Sequence, residues 1–99
     1  MAGGMDYRRP VKRSVTIAGH ETSISLEPAF WSELERAAEE LGKPLNALIA
    51  EVDLARLDSR PLPSLTSALR QWLLRLALSR EQDSRLAGNL REHRRRDVS

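Results

Sequence analysis

The fold is decided by Thr22-Ser-Ile-Ser-Leu-Glu-Pro-Ala-Phe-Trp-Ser-Glu-Leu-Glu-Arg-Ala-Ala-Glu-Glu-Leu-Gly42, with Leu45-Asn-Ala-Leu-Ile49 close behind. The opening residues alternate, with Thr22, Ile24 and Leu26 on one side and Ser23 and Ser25 on the other. Period two with β-branched residues reads as a strand that rests one face on a core. At Pro28 the period changes. Proline fits the first helical position, where its missing N–H would have no partner anyway. Phe30, Leu34, Ala37 and Leu41 then recur at three-four spacing, with Trp31 and Ala38 widening the stripe. Gly42 supplies a left-handed stop. A second helix begins at Pro44 or Leu45 and turns Leu45, Leu48, Ile49 and Val52 to one side.

Upstream, a second alternating run sets Lys12, Ser14 and Thr16 against Arg13, Val15 and Ile17. The two runs suit a hairpin. A two-residue loop at Gly19-His20, with glycine in the first central position, pairs Ile17 with Thr22, Thr16 with Ser23, Val15 with Ile24 and Ser14 with Ser25. Apolar residues then meet apolar ones and hydroxyls meet hydroxyls. Lys12, Ser14 and Thr16 share a polar face with Ser23 and Ser25.

Downstream, Asp58-Ser-Arg-Pro-Leu-Pro63 breaks the helical pattern, since two prolines so close do not fit inside a helix. Ser64 is placed to cap a third helix, whose apolar stripe runs through Leu65, Leu69, Trp72, Leu73 and Leu76. The expected organisation is a flexible basic arm over 1–10, a strand-and-two-helix domain over 11–57, a linker over 58–63, a third helix over 64–81 and a basic, disordered tail over 82–99. The fold class is mainly α with a short N-terminal β-ribbon.

Charge and composition narrow the function. The chain has 99 residues, 16 Lys+Arg against 14 Asp+Glu, and no cysteine. The excess of positive charge falls at the two ends, around an acidic middle. Basic ends beside such a body suit contact with a polyanion; solubilising charge is the plainer reading. Without cysteine there is neither a disulfide scaffold nor a thiolate metal site. His20 lies in a turn and His93 in the tail, so no metal site and no cofactor are expected. Trp31 and Trp72, at helical spacing, read as core or interface residues. No Ser-His-Asp arrangement and no phosphate-cradling glycine loop occurs, so no catalytic residues are assigned. Arg70, Gln71 and Arg75 interrupt the most apolar stretch, which excludes a membrane span. No secretion signal is read at the N-terminus, and a cytoplasmic location is the expectation.

The order of strand, proline-opened helix, glycine stop and second helix resembles the ribbon-helix-helix family of the Arc and MetJ type, over roughly residues 11–56. The longer run Arg9-Pro-Val-Lys-Arg-Ser-Val-Thr-Ile-Ala-Gly-His20 is similar to a subfamily with an extended ribbon and an additional C-terminal helix. In that family two chains contribute one strand each to an antiparallel ribbon, which enters the major groove. The resemblance implies an intertwined homodimer that binds double-stranded DNA. Glu21, Ser23 and Ser25 then face the bases, and Asn46 stands where helix N–H groups grip a phosphate. The hairpin adds Lys12, Ser14 and Thr16 as alternative base readers, with Arg8, Arg9 and Arg13 as phosphate contacts. Which strand reads is left open. Ile24, Leu26, Trp31, Leu34, Leu48 and Ile49 form the expected dimer core, because one strand and two short helices are too little to enclose them. A transcriptional repressor or autoregulator is the leading reading. The rivals are an antitoxin that holds a toxin protein through residues 64–99, and a protein-interaction module without DNA binding. The third helix offers a face for assembly beyond the dimer.

Overall fold

Alternation at the N-terminus produces β1 (Val11–Ile17) and β2 (His20–Leu26), which pair as a two-stranded antiparallel sheet. The structure is a computed structural model that describes the backbone of residues 7–98 and the side chains of residues 7–88. The expected flexible arm falls largely on residues 1–6, which lie outside the described residues. The turn between the strands is Ala18-Gly19, with φ of 50° and 81°. Two positive φ values are what a type I′ turn requires, and its twist matches that of the strands it joins.

This turn corrects the register expected from sequence. Ile17 lies opposite His20, Thr16 opposite Glu21, Val15 opposite Thr22, Ser14 opposite Ser23 and Lys12 opposite Ser25. The two registers differ by two residues, so each keeps every side chain on the same face, and alternation cannot choose between them. The turn can. Looping at Ala18-Gly19 ends the seven-pair ladder on Val11 and Leu26, where the later loop would set Val11 against Pro28, which has no N–H to pair. The turn holds Ala18 in a left-handed conformation at roughly 1–2 kcal/mol, while Gly19 takes the second positive φ without that cost.

Helix α1 (Pro28–Glu40) opens on the carbonyl of Glu27, which accepts from the N–H groups of Phe30 and Trp31 at 2.9 and 3.2 Å. It closes on Gly42 at φ 66°. There the Gly42 N–H donates to the Glu39 carbonyl (3.1 Å) and the Lys43 N–H to that of Ala38 (3.0 Å), the paired bonds of a Schellman stop. Its buried stripe is Trp31, Leu34, Ala37 and Ala38. Leu41, expected on the stripe, is 53% exposed, because it falls past the last turn. Helix α2 (Leu45–Arg56) buries Leu48, Ile49 and Val52. Helix α3 (Leu65–Val98) starts at Ser64, whose Oγ accepts from the Ser67 N–H at 3.1 Å.

Two further expectations change. The third helix does not stop near residue 81; it continues to Val98 through the stretch read as a disordered tail. Loss of the apolar stripe removed the reason for packing but not the reason for helix. Residues 82–98 hold no proline and are rich in Arg, a good helix former, with Leu86, Ala87 and Leu90 among them, and Glu81 and Arg85 pair one turn apart at 3.2 Å.

The other change concerns the core. Ile24, Leu26, Trp31, Leu34, Leu48 and Ile49 are all at most 2% exposed within one chain. β1 brings Val15 and Ile17 to this cluster, and α3 brings Leu69 and Leu73. With those two additions a single chain encloses much of what strand β2 and two helices leave open. Arg70 of α3 also reaches back to Glu27, at 2.7 Å, and lies over the Phe30 ring.

Leu69 is fully buried, so Leu69→Ala should cost about 2–5 kcal/mol in urea unfolding if α3 is integral to the fold. The Arg70 guanidinium, by hydrogen bonding, holds the Glu27 carboxyl below its ordinary range. A depressed carboxylate stabilises above its unfolded pKa and loses that contribution as pH falls through the folded value. Unfolding at neutral pH and at about pH 3.5 should therefore show a drop that shrinks in Glu27→Gln, measured against the unfolded glutamate pKa of about 4.3.

Candidate nucleic-acid interface

The hairpin has two unlike faces because its pleat sorts residues by parity. Val15, Ile17, Ile24 and Leu26 go to the core. Lys12, Ser14, Thr16, Glu21, Ser23 and Ser25 go to the other side, and every one of them is exposed. The register assembles them into rungs of Lys12 with Ser25, Ser14 with Ser23, and Thr16 with Glu21. The base-reading candidates of both strands thus share one surface. Among the described residues, none of these side chains makes a hydrogen bond or ion pair within the chain. Their donors and acceptors face solvent. The face carries one positive and one negative group at opposite ends: Glu21 beside the turn, Lys12 four residues from Thr16, or about 13 Å along the strand.

The phosphate candidates divide. Arg8 and Arg9 are exposed in the segment leading into β1. Arg13 sits at the helix side of the hairpin: its Nη1 bonds the Glu35 carboxylate at 2.5 Å, and its guanidinium lies 4.7 Å from the Trp31 ring centroid. Both engagements hold the Arg13 charge on α1 and away from the polar face. The sequence carried a signal of this, since Arg13 alternates with Val15 and Ile17 rather than with Lys12. What it did not carry was the partner, Glu35, which lies 22 residues away. Trp31 Nε1 also donates to the Val11 carbonyl at 2.8 Å, a bond no local pattern foretells. Asn46 is exposed in the first turn of α2, whose cap residue Pro44 offers no side-chain acceptor. The first helical bond there is from the Leu48 N–H to the Pro44 carbonyl, so the earlier N–H groups point outward at the positive end of the helix dipole.

Away from the ribbon, an apolar groove of about 460 Å³ lies between α1 and α3, lined by residues such as Phe30, Leu73, Leu74 and Ala77 and by no residue of the hairpin. No group of His, Asp and Glu suited to hold a metal occurs among the described residues. None of the described helices is long and apolar enough to cross a membrane.

A model of the ribbon-helix-helix domain matches residues 10–77, from the residue before β1 into the packed part of α3. No match was found among curated proteins or among solved structures.

Because the polar face is unbonded, Ser23→Ala combined with Ser25→Ala should leave stability within about 0.5 kcal/mol of the parent, as should Lys12→Ala. Arg13→Ala should instead lower it, by roughly 0.5–1 kcal/mol, through the lost contact with the Trp31 face and the half-exposed ion pair. Thermal unfolding of the three variants side by side checks the division between open face and anchored face.

Proposed function

This chain belongs to the ribbon-helix-helix family, a family of DNA-binding regulators, and from that footing we propose that it is a sequence-specific double-stranded DNA-binding protein that represses or autoregulates transcription. The observation that carries the reading is the exposed hairpin face on which Lys12, Ser14, Thr16, Glu21, Ser23 and Ser25 stand with no partners of their own. A two-stranded ribbon is narrow enough for the major groove, whose base edges offer the donors and acceptors such side chains read. Lysine suits the acceptors of guanine, glutamate the amino group of cytosine, and hydroxyls serve either role. Arg8, Arg9 and the open N–H groups at Asn46 are the proposed phosphate contacts, which fix position without reading sequence. Repression would follow from occupancy of the groove, in the cytoplasm where a gene regulator meets its DNA.

Of the rival readings, the antitoxin one loses support. It expects residues after about 60 to lack order until a partner arrives, whereas Leu69 and Leu73 pack into the core of the lone chain. The interaction-module reading draws on the groove between α1 and α3, which leaves the polar ribbon face without a purpose.

Binding to mixed duplex fragments, followed by fluorescence anisotropy at rising salt, tests the proposal. The expected result is binding at about 50 mM salt that weakens steeply as salt rises, since each phosphate contact releases counterions. Lys12→Ala and the Ser23→Ala, Ser25→Ala pair should weaken or relax sequence preference while the fold is kept. Absence of binding at low salt would sink the reading.

A further inference from the structure

Ion pairs tie α3 to α1 at both ends of the shorter helix. Arg70 bonds the two oxygens of the Glu27 carboxylate, at 2.7 and 3.1 Å, where α1 begins. Arg80 bonds the Glu40 carboxylate, where α1 ends. The two helices therefore run the same way, braced at Arg70 and Arg80, which stand about 15 Å apart along α3.

Between the braces the helices do not close on each other. The α1 stripe of Leu34, Ala37 and Ala38 is buried in the core, and at the surface α1 meets α3 with Phe30 and Glu33. Opposite them α3 offers Leu73, Leu74 and the single methyl of Ala77. The space left is the apolar groove of about 460 Å³, within the roughly 300–1,000 Å³ of small-molecule sites. Leu74 on its rim is 60% exposed.

The braces limit what can occupy it. A partner helix laid along the groove would ride over both ion pairs once it exceeded about 15 Å, or some ten residues. A small molecule of that length fits between them. The charges select its chemistry. Arg70 and Arg80 line the groove, whereas their partners Glu27 and Glu40 do not. Glu33, the acid in the lining, is turned to Arg36 at 3.7 Å. Arg70 is the more occupied arginine, with two bonds to Glu27 and its guanidinium 5.5 Å from the Phe30 ring centroid. Arg80 commits one nitrogen to Glu40, and its other N–H groups have no partner among the described residues. A guanidinium with open N–H groups receives a carboxylate well.

We propose that this groove binds an amphipathic carboxylate with a straight alkyl tail, its head on Arg80 and its tail along Ala77, Leu74 and Leu73 to the Phe30 ring. An extended alkyl chain advances roughly 1.3 Å per carbon, so about twelve carbons cover the distance between the braces. No residue of the hairpin lines the groove, so the site is separate from the polar ribbon face and its test is independent of DNA binding. A ligand seated there spans α1 and α3 and stabilises the folded chain by mass action.

Isothermal titration of the full chain with dodecanoate, below its micelle concentration, gives affinity and stoichiometry, and thermal unfolding gives the accompanying shift. The expected result is one dodecanoate per chain and a raised Tm. Dodecanol, the same tail without the charge, should bind about tenfold more weakly. Arg80→Gln should weaken dodecanoate by a similar factor and leave dodecanol unchanged. Ala77→Trp, which fills the groove from an exposed position, should abolish binding of both while circular dichroism stays that of the parent. Arg75→Gln, on the other flank of α3, should have no effect. Undiminished binding to Ala77→Trp, equal losses in Arg75→Gln and Arg80→Gln, or a lowered Tm would mean surfactant adsorbing to a basic surface, and each overturns the proposal. Absence of dodecanoate binding overturns it as well; if Ala77→Trp then also sediments as a smaller species than the parent, the groove belongs to a second copy of the chain.

Discussion

The pairing that sets Ile17 opposite His20 is the constraint on which the remaining structure depends. It brings β1 alongside β2 in a register of seven rungs, and Val15 and Ile17 join the same apolar cluster as Ile24 and Leu26. Without β1 the inner side of the helices would stand open along that edge. With it, Trp31 is covered and its N–H finds the Val11 carbonyl, which removes the cost of burying an unpaired indole donor. The same register that closes the core also composes the outer face, because residues on one side of the pleat cannot be moved without moving those on the other.

Helix α3 completes the enclosure from the opposite end of the chain. Each fully buried leucine contributes roughly 1.5–3 kcal/mol, and the Arg70–Glu27 pair joins α3 to the start of α1. Glu27 is thus used twice: its carbonyl begins α1, and its carboxylate receives Arg70. The exposed ion pairs of the surface, such as Lys43 with Glu51, contribute little by comparison. Beyond Arg80, which bonds Glu40, the helix runs on with exposed side chains as far as Ala87. At roughly 1.5 Å per residue α3 is about 51 Å long, close to the 60 Å longest dimension of the molecule.

Economy of charge follows from this division of faces. Arg13 is tied down by Glu35 and Trp31, whereas Lys12, its neighbour in the chain, is exposed on the polar side. One step along a strand separates a residue that builds the fold from one available to a ligand.

Much of this was legible in the sequence by itself. Period-two alternation fixed which residues of each strand face in and which face out, Pro28 and Gly42 fixed the limits of α1, and Ser64 marked the start of α3. These features act locally, over the length of a turn or a strand. The tertiary structure alone decided the rest. It chose between two registers that alternation could not separate, since both preserve the faces. It paired Arg13 with Glu35 and Trp31 with Val11, contacts that span some twenty residues. It kept α3 helical beyond the end of its apolar stripe. Most consequentially, it decided who covers Ile24, Leu26, Trp31, Leu34, Leu48 and Ile49. A sequence states that an apolar face needs a cover; only packing in three dimensions states that β1 and α3 of the same chain provide it.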